Sequence, residues 1–251
     1  MQIGLIGAGN MARALARGWQ QPILCADPVF TRAQALAVET GGEALQTNAE
    51  VARRADLVVL AHKPAQLAEV AAEVAPHARA VASILATVTL AALRDAYPDR
   101  PVYRFIPSLP VEVRQGAVVR AVDVPQQPEL DERVQALFGS LGTLVTLDDS
   151  LVDAAMCLMS CAPAYVALVA EAQVDAGVRY GIPASAGAQL VVQTFAGTAE
   201  LLRQRSYDTL AVRREVSSPG GLTVRGLDAL ERGGVRKAFS DAMDAVMHKA
   251  K

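Results

Sequence analysis

Positive charge does not accumulate in this sequence: 24 Lys and Arg against 26 Asp and Glu leave a net charge of −2 over 251 residues. Without a basic excess, nucleic acid is excluded as the main partner on electrostatic grounds, and an anionic ligand must be caught by a local site. Cysteine is sparse and odd in number, at Cys25, Cys157 and Cys161. That points to a reducing, cytoplasmic setting rather than a disulfide framework. Cys157 and Cys161 stand one helical turn apart but have no histidine near, so they read as core thiols, not metal ligands. No basic segment followed by an apolar core opens the chain as a signal peptide would. The most lipid-like stretch, residues 154–170, is shorter than a typical span and contains Ser160 and Pro163. It reads as a buried or subunit-interface helix, and no membrane partner is expected. There is no internal repeat and no low-complexity tract.

What is present is apolar residue in quantity, 52% of the chain against 20% charged, enough for one large core or two ordinary ones. Up to about residue 147 short apolar runs alternate with helical patterns. Strands are expected at 3–6, 23–26, 56–61, 80–85, 102–106 and 117–122, and helices at 11–19, 32–40, 65–75, 89–96 and 129–141. Such alternation predicts a parallel, doubly wound sheet covered on both faces. Beyond it strand signals vanish, and long Ala/Val/Leu-rich helices follow at 150–159, 163–180, 183–205 and from 225 onward, with a break at Gly233-Gly234. Residues 164–176 are apolar nearly all round, as in a bundle interior or a subunit interface. The predicted boundary lies near Asp148-Asp149, dividing a dinucleotide-binding domain, 1–148, from a helical substrate-binding and dimerisation domain, 149–251.

The first strand runs into Gly7-Ala8-Gly9-Asn10-Met11-Ala12, a Gly-x-Gly-x-x-small pattern that opens a helix. Gly7 suits the tight turn out of the strand, Gly9 lets backbone N–H groups approach a pyrophosphate, and Ala12 allows close helix–strand packing. Asn10 and Met11 start the helix, whose unpaired N–H groups and positive dipole end suit phosphates. Asp27, about 20 residues on, ends the second strand where an acid receives ribose hydroxyls and disfavours a 2′-phosphate. Arg32 is near enough to hold that phosphate instead, so NADPH and NADH both stay open. Ala61-His62-Lys63-Pro64 follows the strand at 56–61, on the carboxyl edge where ligands of such sheets sit, and Lys63 can reach the nicotinamide ribose. His62 reads as a loop histidine. These features together predict a Rossmann-like domain carrying a nicotinamide cofactor.

Three further segments complete a pattern: Arg104-Phe105-Ile106-Pro107-Ser108-Leu109-Pro110, Pro163-Ala164-Tyr165, and Ser218-Pro219-Gly220-Gly221-Leu222-Thr223 followed by Gly226-Leu227 and Leu230-Glu231. With Gly7 to Met11, Leu60 to Pro64, and Gln193-Thr194 with Gly197, the chain resembles the pyrroline-5-carboxylate reductase family from end to end. The Ser218–Thr223 segment is the most specific part. The sequence departs from the family pattern at Ser108, where Asn is usual, at Ile106 in place of Met, and at Ser160-Cys161-Ala162, which lacks two glycines. His62 stands where the family motif Leu-Ala-Val-Lys-Pro has valine.

The resemblance implies hydride transfer from NADPH or NADH to the imine carbon of Δ1-pyrroline-5-carboxylate, giving L-proline, by a homodimer or higher homo-oligomer built through the C-terminal helices. A protonated cyclic imine is already electrophilic, so the protein has mainly to orient it. The expected seat of the substrate carboxylate is Ser218, the main-chain N–H groups of Gly220, Gly221 and Leu222, and the hydroxyl of Thr223, which is assigned the catalytic position. The cofactor is assigned to Gly7, Gly9, Asn10, Met11, Asp27, Ala61, Lys63 and Pro64. Other readings stay open on the residues alone: a reductase of a related imine or of a 2-keto or hydroxy acid, and a catalytically silent dinucleotide-binding regulator.

Overall fold

The structure, a computed structural model, describes residues 1–123 and 127–249, with the backbone alone at 248 and 249. The strands are β1 (Ile3–Ile6), β2 (Ile23–Ala26), β3 (Glu43–Ala44), β4 (Leu57–Leu60), β5 (Val81–Ser83), β6 (Val102–Pro107), β7 (Gly116–Ala121) and β8 (Gly142–Leu147). They form one sheet in the order β3-β2-β1-β4-β5-β6-β7-β8. The chain winds outward from β1 through β2 to β3, then returns to lay β4 on the other side of β1. The resulting switch point between β1 and β4 opens a crevice at their carboxyl ends. β1, β2, β4 and β5 have no exposed residue, as expected for strands covered on both faces.

The helices that cover this sheet are α1 (Asn10–Trp19), α2 (Phe30–Thr40), α3 (Asn48–Arg54), α4 (Leu67–Val74), α5 (Leu90–Ala96) and α6 (Pro128–Gly139). One core packs β1 and β2 against α1 and α6, where Phe105 and Phe138 stack at 3.9 Å and Trp19 meets Phe138 edge-on at 5.6 Å. The other packs the opposite face under α3, α4 and α5. Thr47 caps α3 with its hydroxyl while Glu50 reaches back to the Thr47 N–H, a reciprocal capping box.

Two expectations need correction. The sheet is not wholly parallel, because β7 runs antiparallel to β6. Eight residues, 108–115, join them, too few for the crossover that a parallel pair requires. A strand, β8, also follows α6 where only the end of a helix was expected, and it pairs parallel to β7.

The next helix, α7 (Val152–Met159), belongs to the sheet-bearing unit. Val152 is fully buried in its core, and the compact units divide at Pro163/Ala164. Arg104 anchors the approach to α7. Its side chain, 1% exposed, donates to the Asp149 carboxylate at 2.7 Å, to the Asp149 carbonyl at 3.2 Å and to the Asp153 carboxylate. Asp149 in turn accepts from the Leu90 N–H at 3.0 Å, so one carboxylate holds both β6 and the start of α5.

The second unit is helical: α8 (Ala162–Val178, whose first two residues fall in the first unit), α9 (Ala184–Gln204), α10 (Thr209–Glu215), α11 (Leu222–Arg232) and α12 (Val235–Lys249). The sequence reading missed α10, which Asp208 caps by accepting from the Leu210 and Ala211 N–H groups. No residue of α8 is buried within the chain, so the alternative of a helix buried inside its own subunit is not met. The stretch Asp149–Val178 is long and apolar enough to cross a membrane by length and composition. Its helices nevertheless break at Ser160-Cys161, leaving two pieces each shorter than a span of about 20 residues.

Replacing Arg104 by Ala leaves two partly buried aspartates without their cation. Urea unfolding followed by the fluorescence of Trp19 is expected to show a loss of roughly 3 kcal/mol; an unchanged midpoint would mean that the clamp is not structural.

Candidate functional site

The crevice at the switch point is a cleft of about 580 Å³, walled by four loops together with Arg32 of α2 and Glu69, Val70 and Glu73 of α4. Gly7 and Gly9 follow β1, Asp27 to Val29 follow β2, Gln46 to Asn48 follow β3, and Ala61 to Lys63 follow β4. Gly7 holds φ +101°, and a Cβ there would lie 2.8 Å from the Ala61 carbonyl oxygen. Only glycine lets the chain leaving β1 pass so close to the chain leaving β4. Gly9 is the N-cap of α1. It has no side-chain cap, no acid follows in the first turn, and a Cβ on it would meet nothing within 4 Å. This leaves α1 with unpaired N–H groups above open space, a seat that fits a pyrophosphate.

Asp27 already has partners within the chain. One carboxylate oxygen accepts from the Ala8 N–H and the other from the Val29 N–H, each at 2.8 Å. The carboxylate therefore ties the glycine turn to the loop after β2, and each oxygen has only part of its accepting capacity left for a ligand. Arg32 borders this cleft and also an adjoining pocket that contains Asn10, Arg13 and Thr31.

Three assigned residues do not line this cleft, and one of them, Asn10, lines the adjoining pocket instead. Met11 packs on the hydrophobic core from the inner side of α1. Pro64 opens the 3-10 turn Pro64–Gln66 and fixes the loop without lining the cleft. Lys63 does line it, and its N–H donates to Gln66 Oε1 at 3.3 Å. Gln46, Thr47 and Asn48 were missed as site residues because β3 is only two residues long. The Thr47-x-x-Glu50 capping signature was the available signal.

In the helical unit, Ser218 to Thr223 form a turn that leads into α11. Gly220 holds φ +69°, and Gly221 is the N-cap of α11, again without a side-chain cap or an acid in the first turn. A Cβ on Gly221 would lie 2.4 Å from Ser218 Oγ, so the serine hydroxyl nests against the glycine backbone. The Gly221 N–H already donates to the Ser218 carbonyl at 2.9 Å, which removes it from the donors expected for a carboxylate. Leu222 and Thr223 begin the helix, where N–H groups lack intrahelical partners.

Residues 149–251 match the family model described as pyrroline-5-carboxylate reductase dimerisation, and residues 2–87 match one described as NADP oxidoreductase, coenzyme F420-dependent. A pyrroline-5-carboxylate reductase of Synechocystis is 32% identical over 259 residues, covering 100% of this chain and 97% of the relative. The chain belongs to the pyrroline-5-carboxylate reductase family. Among solved structures it resembles the Streptococcus pyogenes 1-pyrroline-5-carboxylate reductase, with TM-score 0.89 and 29% identity over 100% of this chain and 98% of that one. The Plasmodium falciparum pyrroline carboxylate reductase, solved with NADP bound, gives TM-score 0.89 and 25% identity, covering 100% and 97%.

The departures from the reductase pattern acquire physical roles. Ser108, 3% exposed, accepts from the Ala117 N–H through its hydroxyl and donates its own N–H to the Ala117 carbonyl, each at 2.9 Å, closing the β6–β7 turn. Ile106 is core. Ser160-Cys161-Ala162 marks the break between α7 and α8, where both the Ser160 and Cys161 N–H groups converge on the Met156 carbonyl.

Because Asp27 organises two loops, Asp27→Ala is expected to weaken NADH and NADPH alike, each by about tenfold or more in dissociation constant. A loss confined to NADH would show that the carboxylate acts on the ribose alone.

Proposed function

We propose that the chain reduces Δ1-pyrroline-5-carboxylate to L-proline with NADPH or NADH, the nucleotide seated in the cleft of residues 1–148 and the substrate held by residues 149–251. The observation that carries this reading is end-to-end identity of 32% to a curated reductase, with the Ser218–Thr223 turn placed at the uncapped start of α11. When bound, the nicotinamide supplies a hydride to the imine carbon. The chain's own residues do the positioning. The N-terminus of α1 and Gly9 hold the pyrophosphate, Asp27 and Ala61 shape the walls, and Lys63 meets the ribose on the nicotinamide side. No strong acid is required, because the imine nitrogen enters protonated and keeps that proton in the product amine.

The substrate's fixed handle is its carboxylate. It sits on the Gly220 and Leu222 N–H groups with the Thr223 hydroxyl donating, beside Ser218. Among the nearby arginines, Arg213 lies 4.0 Å from Glu231. Burial of the apolar faces of α8 and α9 against a second copy makes the working form a homodimer or higher oligomer, with upward of ~2,000 Å² covered in total. With a net charge of −2 and three unpaired cysteines, the chain suits the cytoplasm and neither nucleic acid nor a membrane as partner.

Steady-state assay with pyrroline-5-carboxylate and each cofactor tests the reaction directly; nucleotide binding without oxidation would support the silent regulator instead. Thr223→Ala should lower kcat/KM about ten- to a hundredfold with the cofactor Kd unchanged, and Thr223→Ser should keep much of the activity. An equal loss of cofactor binding would remove Thr223 from the substrate seat. Light scattering at micromolar concentration should find no active monomer.

A further inference from the structure

A second cavity adjoins the cofactor cleft and has no part in the reaction described above. Its volume is about 460 Å³, and it lies between the start of α1 and the start of α2. Asn10 and Arg13 line it from α1, Thr31 and Arg32 from α2, and no acidic residue lines it. Gly9 and Arg32 belong to the walls of both cavities, so a group carried by a ligand in the cleft can extend into the second one.

The charges around it leave one cation over. Arg13 and Arg17 share Glu39, and Arg17 also reaches Glu112 at 2.6 Å, so two arginines and two glutamates balance one another. Arg32 stands outside that network. It is exposed, and it has no ion pair and no side-chain hydrogen bond among the described residues. Its guanidinium is therefore free to meet an anion without first giving up a partner.

The two nicotinamide cofactors differ in a single group, the phosphate on the adenosine 2′ oxygen. That monoester carries about −1.5 to −2 charges near neutral pH and three acceptor oxygens. The adenosine ribose of a dinucleotide lies at the end of the second strand, here at Asp27. Thr31 and Arg32 follow Asp27 closely at the start of α2, whereas Pro28 and Val29 of the intervening loop offer no polar side chain. Asp27 opposes a phosphate by its charge, but it lines the cleft and not the second cavity. Its two oxygens are also engaged by the Ala8 and Val29 N–H groups at 2.8 Å, which offsets part of that charge.

We propose that the cavity between α1 and α2 receives the 2′-phosphate of NADPH, and that Arg32, with Thr31 beside it and Arg13 on the α1 side, makes this chain select NADPH over NADH. The assignment rests on the dinucleotide reading of the cleft and settles the cofactor choice that the Asp27 position leaves open. Arg32 supplies the fork of donors that a phosphate accepts, and the hydroxyl of Thr31 adds another. Asp27 then acts as the tie between two loops and not as the residue that discriminates between cofactors.

The test measures dissociation constants for NADPH and NADH by nicotinamide fluorescence, with no imine substrate present. Wild type should bind NADPH about thirtyfold more tightly than NADH. Arg32→Met keeps an apolar stem and removes the charge, and should bring the ratio to about threefold or less by weakening NADPH alone. Arg32→Lys should give an intermediate ratio, because a point charge remains while the fork is lost. Added salt should weaken NADPH more steeply than NADH in wild type and equally in Arg32→Met. Wild type binding NADH as tightly as NADPH would overturn the assignment while leaving the cleft a dinucleotide site. So would an unchanged ratio in Arg32→Met, or an equal loss of both cofactors. Failure of wild type to bind either dinucleotide would overturn the cofactor reading itself, and the assignment with it.

Discussion

The chain leaving β1 runs against the chain leaving β4 with almost no space between them, and the cofactor cleft depends on that approach. The Gly7 N–H donates to the Ala26 carbonyl and the Ala61 N–H to the Ile6 carbonyl, both at 2.8 Å, so three neighbouring strands are pinned where they end. A side chain at residue 7 would collide with the Ala61 carbonyl. Since backbone is the obstacle, no rotamer change relieves the clash. Beyond that approach the chain enters α1, whose uncapped start at Gly9 borders the cleft.

A chain with no global positive field must bind anions through such local arrangements. Both candidate anion seats use the same device, a glycine N-cap and a first turn free of acidic residues, once at Gly9 and once at Gly221. In each case an anion, in the reading proposed above, would be met by main-chain N–H groups, whose charge is partial and fixed, instead of by arginines that the composition does not supply in excess. Among the described residues the one fully buried arginine has another role. Arg104 holds Asp149 and Asp153 and so fixes the segment from which α7 departs.

The helical half follows a different logic. Its helices are apolar on faces that a single chain leaves open, with Leu168 and Leu190 both more than 60% exposed and Leu222 83% exposed at the start of α11. Apolar surface on that scale is covered by a second copy in the reading put forward here. In that reading the signature turn belongs to the same helical unit that associates.

Period and punctuation alone determined much of this protein. Apolar runs of four residues at Ile3–Ile6 and Ile23–Ala26, each followed by a helical pattern, state a doubly wound sheet, because strands buried on both faces need no alternation. The Gly7-x-Gly9 turn was legible because its chemistry depends on backbone conformation, which residue type encodes locally; the Ser218–Thr223 turn was legible as an anion seat only through the resemblance to the reductase family. The tertiary structure alone decided what depends on contacts between distant residues. It gave β7 its antiparallel direction, made a strand of the two residues Glu43–Ala44, engaged both oxygens of Asp27 before any ligand does, and turned Ser108 inward onto Ala117. It also set His62 at the edge of the cleft with one ring nitrogen hydrogen-bonded and the other enclosed without a partner among the described residues. The sequence shows a histidine after a strand, but which of its atoms lacks a partner depends on every loop that surrounds it.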